Sequence, residues 1–108
     1  MDSDYTPQQV ADLLERGDVQ LIDVREPYEH EAGRIAGDRL VELMQLTAQF
    51  QTISREKPVI FYCRTGSRSA MATEAFRHAG FDAHNMAGGL IEWAAAGLPL
   101  EPADGHVA

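Results

Sequence analysis

The chain has 108 residues, 44% hydrophobic and 24% charged, with a formal net charge of −8 and a single cysteine. That length and balance predict one globular domain over 1–108 with no internal disulfide, and the acidity argues against nucleic acid or an anionic membrane as main partner. No apolar run approaches the roughly 20 residues of a membrane span, and the polar, acidic opening "MDSDYTPQQV" is unlike a secretory signal, so the expected location is cytoplasmic.

In chain order, "TPQQVADLLERGD" opens with a helix signature: Thr6 as N-cap, Pro7 in the first turn, Gln9 three residues after the cap and Gly17 as the stop. "VQLID" (Val19 to Asp23) reads as a short buried strand. "EPYEHEAGR" reads as a short helix begun at Pro27 and broken at Gly33. Leu43, Leu46 and Phe50 share one face of a helix predicted from about Val41 to Gln51. "PVIFYC" is apolar throughout, as the centre of a parallel sheet requires. Ala72, Ala75, Phe76 and Ala79 then trace a helical stripe ending at Gly80. "FDAHNM" is a weaker strand, and Gly88-Gly89 turn into a last helix in which Leu90, Trp93 and Ala94 share a face. Residues 99–108 are expected to be a loosely ordered tail. Helices and strands alternate, so the fold class is α/β with a mostly parallel sheet.

The charge is unevenly spread. Residues 1–54 carry four Lys/Arg against eleven Asp/Glu and residues 79–108 carry four acids and no Lys/Arg, whereas residues 55–78 are net positive and contain Cys63. A strand running into a glycine-containing loop and then a helix is the setting in which open α/β sheets bind ligands. Here that loop is "CRTGSRS", Cys63 to Ser69. Its amides can converge on one point, the helix adds unpaired N–H groups, and a sulfur placed there ionises below the ~8.5 of a free cysteine. Gly66 permits a positive φ, and Arg64 and Arg68 offer forked donors to a sulfonate or similar anion. The competing reading makes Cys63 inert packing at a strand end.

The chain resembles the single-domain rhodaneses, a sulfurtransferase family, in "LIDVREPYEHEAGRI" (Leu21 to Ile35), "VIFYCRTGSRSAMA" (Val59 to Ala72), "AGFDAHNMAGG" (Ala79 to Gly89) and Trp93. With the opening helix these cover nearly the whole chain. The resemblance implies a rhodanese-like sheet with helices on both faces and a two-step transfer needing no metal or organic cofactor. Cys63 takes a sulfane sulfur from thiosulfate or a similar small anionic donor, and the resulting persulfide passes it to cyanide, a thiol or a sulfur-relay protein. It also implies roles: Cys63 as nucleophile, the main-chain N–H groups of Arg64, Thr65, Gly66, Ser67, Arg68 and Ser69 as the cradle, Arg64 orienting the donor, and Arg68 closing the loop against a carboxylate near Glu29.

Related phosphatases and arsenate reductases place five residues between Cys and the final Arg. Four stand between Cys63 and Arg68, which suits a sulfur atom better than a phosphate. The alternative in another class is a non-enzymatic rhodanese module that binds a partner or relays sulfur. The family's usual Gly-His-Ile-Pro-Gly appears as Gly33-Arg34-Ile35-Ala36-Gly37, and acceptor preference is what that replacement bears on. Asp23 and Arg25 are expected to organise structure, Tyr62 and Trp93 to pack, Ser67 and Ser69 to cap the helix or donate to the sulfur, and Met71 to wall the pocket. His30, His78, His84 and His106 show no metal-ligand spacing and are expected at the surface or at helix caps.

Overall fold

The computed structural model describes residues 4–108; Met1 to Ser3, the start of the acidic opening, lie outside the described residues. Five strands form one parallel sheet in the order β1-β5-β4-β2-β3: β1 Asp4–Tyr5, β2 Gln20–Asp23, β3 Arg39–Leu40, β4 Val59–Tyr62 and β5 Ala83–Met86. The helices are α1 Pro7–Arg16, α2 Pro27–Ala32, α3 Ser67–His78 and α4 Gly89–Ala95. None of the described helices is long and apolar enough to cross a membrane.

Strand β4 runs between β5 and β2 and is covered by helices on both faces, which explains its unbroken apolar sequence. Alternation sends Val59, Phe61 and Cys63 to one face, where they pack with Ile22, Val24, Ala72 and Phe76. Ile60 and Tyr62 go to the other, with Val10 of α1 and Leu90 and Trp93 of α4. Because every strand points the same way, the turns after β2, β4 and β5 emerge side by side at one edge of the sheet. That edge is where the cysteine loop begins.

The helix signals act as the sequence implies. In α1 the Thr6 hydroxyl accepts from the Gln9 amide at 3.1 Å while Gln9 Oε1 accepts from the Thr6 amide at 2.8 Å. Gly17, at φ 78°, ends the helix by donating to the Leu13 and Leu14 carbonyls.

Two expectations are corrected. The predicted helix over 41–51 is instead an extended lead-in followed by two 3-10 turns, Leu43–Gln45 and Phe50–Thr52. The Val41 amide donates to the Asp23 carbonyl and the Leu43 amide to Val24, so the chain is still tied to β2 where the helix should start. Leu43, Leu46 and Phe50 nevertheless face the core, since 3-10 turns can meet the same burial demand. The closing residues are docked rather than loose. Arg34 and Glu101 exchange backbone hydrogen bonds, Trp93 Nε1 donates to the Pro99 carbonyl, the His106 amide donates to Ala32, and Leu98, Leu100 and Val107 pack on the core. The two-residue strands β1 and β3 are invisible to periodicity because neither is long enough to show one.

Candidate active site

Cys63 follows β4 directly and its side chain ends inside the curl of the next six residues. Its Sγ accepts from the Gly66 amide at 3.1 Å, the Ser69 amide at 3.4 Å and the Ser69 hydroxyl at 3.3 Å. Gly66 stands at φ 104°, a conformation that favours glycine, and it leads into α3, whose first turn brings the Ser69 amide to the sulfur. Burial pushes the Cys63 thiol up; the Ser69 hydroxyl and the amides of Ser69, Gly66 and Thr65 together outweigh it and hold the thiol below its ordinary 9.0. Of the two serines, Ser69 is buried against the sulfur and donates to it rather than capping, whereas Ser67 is exposed and makes no side-chain cap. Cys63 itself is 0% exposed, and Arg64 and Thr65 form the exposed rim above it.

The loop is held open from outside by groups that sequence reasoning did not single out. The Leu90 amide donates to the Cys63 carbonyl at 2.8 Å and the Ile91 amide to the Arg64 carbonyl at 3.1 Å. A trans peptide points its C=O and N–H in opposite directions, so fixing the Arg64 carbonyl outward turns the Thr65 amide inward. Asn85 Nδ2 does the same for the Gly66 carbonyl at 3.3 Å. Gly89 makes this approach feasible, because a Cβ there would stand 2.4 Å from the Arg64 carbonyl oxygen. The signal is present as Gly88-Gly89 but reads only as a turn when the partner loop is unknown.

A family model described as "Rhodanese-like domain" matches residues 6–96. The chain belongs to the rhodanese-like domain family. It is 32% identical over 106 residues to a protein of Allochromatium vinosum named "Sulfurtransferase", covering 97% of this chain and 96% of that one. It is 36% identical over 96 residues to "Probable adenylyltransferase/sulfurtransferase MoeZ" of Mycobacterium tuberculosis, covering 85% of this chain. The chain spans 60% or less of the length of several curated relatives, 24% in the case of MoeZ. Among solved structures, a rhodanese-related protein from Thermoplasma volcanium superposes with a TM-score of 0.84 at 26% identity, over 90% of this chain and 95% of that one.

In this rhodanese domain Arg68 grips Glu29 with both ends of its guanidinium, Nη1 to Oε1 at 2.8 Å and Nη2 to Oε2 at 2.9 Å. The Arg68 contact holds the Glu29 carboxyl below its ordinary 4.5, ahead of burial, which pushes it up. Glu29 Oε1 also accepts from the Glu26 amide, so one carboxylate ties the start of α2 to the start of α3. Its folded value lies below its unfolded one, so this stabilisation is complete above the unfolded value and is lost as pH falls through the folded value. Glu29→Gln is expected to cost roughly 1–2 kcal/mol and to speed amide exchange in residues 64–69; unchanged exchange and turnover would show that the pair does not brace the loop.

Arg64 is exposed, and its Nε donates to the Ala108 carbonyl at 2.9 Å. Met71 is 64% exposed and is not among the residues lining the cavity of about 200 Å³ beside Arg68, contrary to its expected place in a pocket wall. Met44 lines that cavity together with Val24, Glu26, Glu42, Leu43, Gln45 and Arg68.

Behind the loop, Arg25 and Asp23 are both 0% exposed and bonded to each other, with Arg25 Nη2 also donating to the Gly33 carbonyl at 2.7 Å. His30 is no simple surface residue: Nδ1 lies 3.0 Å from Asp23 Oδ2 and 3.6 Å from Asp38 Oδ2. Tyr62, expected only to pack, donates to Asp38 Oδ2 at 2.6 Å and accepts from the Ile35 amide. Asp23, His30 and Asp38 are close enough to share a cation, but they already bond to one another, to Arg25 and to Tyr62.

The hydrogen bonds on Sγ make a direct pH test. Thiol alkylation is expected to rise with a midpoint below 9.0, because the folded value is the lowered one. Ser69→Ala should move that midpoint up by about one pH unit, the worth of one hydrogen bond to a charged group. A midpoint that stays in place would remove the hydroxyl from the account.

Proposed function

We propose that this rhodanese domain is a sulfurtransferase that carries sulfane sulfur as a persulfide on Cys63. The observation that carries the reading is the set of donors converging on one Sγ, from the amides of Gly66 and Ser69 and the Ser69 hydroxyl. The Cys63 thiolate attacks the outer sulfur of a donor such as thiosulfate. The new S–S bond forms as the old one breaks, and sulfite leaves with the bonding pair. The outer sulfur of the resulting persulfide is anionic, and inward-pointing N–H groups stabilise it as they would an oxyanion. Arg64, carrying the positive charge nearest the exposed rim, orients the donor, while Arg68 is engaged with Glu29 and keeps the loop closed. The four-residue gap before Arg68 gives a curl centred on a single atom, which favours sulfur over a tetrahedral oxyanion.

Incubation with thiosulfate is expected to add one sulfur, ~32 Da, to the intact mass, removable by cyanide and absent in Cys63→Ala. The complete burial of Cys63 favours a second reading, a module that binds a partner or relays sulfur with little turnover. An unchanged mass with both thiosulfate and inorganic polysulfide would leave only the partner-binding module standing, labelling without release to any acceptor would favour the relay, and turnover of an aryl phosphate would point to phosphatase chemistry.

A further inference from the structure

We infer that the groove between α1 and the closing segment binds a partner protein through a stretch of chain in which large apolar side chains are interspersed with lysine or arginine. The inference goes beyond the sulfurtransferase reading and does not lean on it, since none of the residues from Cys63 to Ser69 lines the groove. The groove is a cavity of about 600 Å³, within the range of roughly 300–1,000 Å³ usual for ligand sites. Buried Ile35 and Trp93 form its floor, and half-buried Ala11, Leu14 and Leu100 continue the apolar surface toward solvent. All five belong to the core on the α1–α4 side of the sheet, whereas Cys63 packs on the other side.

An apolar hollow ringed by polar groups marks a contact site, and here the ring carries one sign of charge. Asp12 and Glu15 stand on one face of α1, and Glu101 stands on the closing segment. No lysine or arginine lines the cavity, and among the described residues none of the three carboxylates joins an ion pair. Asp12 accepts from Gln8 Nε2 at 3.2 Å, a neutral donor. Repulsion among these groups beside an apolar wall is relieved by a ligand that brings positive charge. The number of carboxylates then selects the class. A small monocation answers one of them, and a polyamine has no large apolar group for the floor over Ile35 and Trp93. A peptide segment supplies both, with leucine-sized side chains in the hollow and basic ones reaching Asp12, Glu15 and Glu101. Both walls are preformed, which lowers the cost of binding. Helix α1 is capped at each end, and the closing segment is pinned by the Arg34–Glu101 backbone bonds and by Trp93 Nε1 on the Pro99 carbonyl.

The test uses the full chain at physiological salt and three capped synthetic peptides of equal length. The first combines leucine with lysine and arginine. The second has glutamate in place of the basic residues, and the third keeps them but has serine in place of leucine. Calorimetry gives the affinity, while the emission of Trp93, the single tryptophan, and the Leu14 and Leu100 methyl resonances give the place. The first peptide is expected to bind about tenfold tighter or more than either control and to move all three signals. Asp12→Lys/Glu15→Lys should weaken it by about tenfold or more. Glu31→Lys/Glu56→Lys makes the same change of net charge at exposed residues outside the cavity and should weaken it by less than about threefold. Equal affinity for the three peptides, binding that leaves Trp93 and both leucines unmoved, or an equal loss in the two double variants overturns the inference. So does a dimer of the unsubstituted chain that Asp12→Lys/Glu15→Lys dissociates, because the groove is then filled by a second copy. Sulfur loading of Cys63 is read separately by mass, and its failure touches the sulfurtransferase reading alone.

Discussion

Arg25→Met is expected to destabilise the domain by about 3–5 kcal/mol, because it leaves the Asp23 carboxylate buried without its cation. Both side chains are fully buried, and the guanidinium holds Asp23 through Nε and Nη2 while reaching the Gly33 carbonyl. Net stabilities of such domains are about 5–15 kcal/mol, so the loss is a large fraction of the whole. Urea denaturation checks it: with a slope of about 1–2 kcal/mol per molar, the midpoint should fall by at least about 1.5 M. Adding Asp23→Asn to Arg25→Met should recover part of the loss by removing the stranded charge. If the double substitution is no better than the single one, the cost lies in lost packing and the electrostatic explanation is wrong. Loop order should suffer too, since the Gly33 carbonyl held by Arg25 ends the helix that carries Glu29.

Gly89→Ala should strike the chemistry itself. Gly89 has φ 65°, and its Cβ position lies 2.4 Å from the Arg64 oxygen and 2.7 Å from the Cys63 oxygen, both backbone atoms that cannot swing away. Helix α4 must retreat, and the hydrogen bonds from Leu90 and Ile91 to those carbonyls lengthen with it. Sulfur transfer is expected to fall by about 100-fold or more, as small misplacements around a reacting atom do, with a stability cost of about 1–3 kcal/mol. The alkylation midpoint of Cys63 should rise at the same time. Gly97→Ala is the control. Its φ of 78° is equally unfavourable, but nothing lies within 4 Å, so stability should drop while the midpoint stays put. A matched loss in both variants would show that strain alone, and not the approach of α4, governs the loop.

Much of this architecture is legible in the amino-acid sequence. The Thr6-Pro7-Gln9 start and Gly17 stop are local instructions, and they hold because each is satisfied within one helix. The central strand and cysteine loop are legible because apolar burial and glycine-bearing curvature leave marks in contiguous residues. The Arg68–Glu29 pair joins residues far apart in the chain, and only the family resemblance anticipates it. What stays hidden depends on partners distant in sequence. The stretch after Val41 has helical spacing, yet pairing with Asp23 and Val24 overrides it. The closing residues look unstructured because their order comes from Ala32, Arg34 and Trp93. Asn85 gives no outward sign that its amide will meet the Gly66 carbonyl.

The dependence of the cysteine loop on Leu90 and Ile91 sets when reactivity can arise. A chain emerging from the ribosome brings Cys63 out before Gly89–Ile91 has left the exit tunnel, and until it does the carbonyls of Cys63 and Arg64 have no helix to hold them. During that interval the thiol is an ordinary one, mostly protonated and slow to attack sulfane donors. Chemical competence arrives with the final helix, so incomplete or unfolded copies would leave the cell's labile sulfur largely untouched.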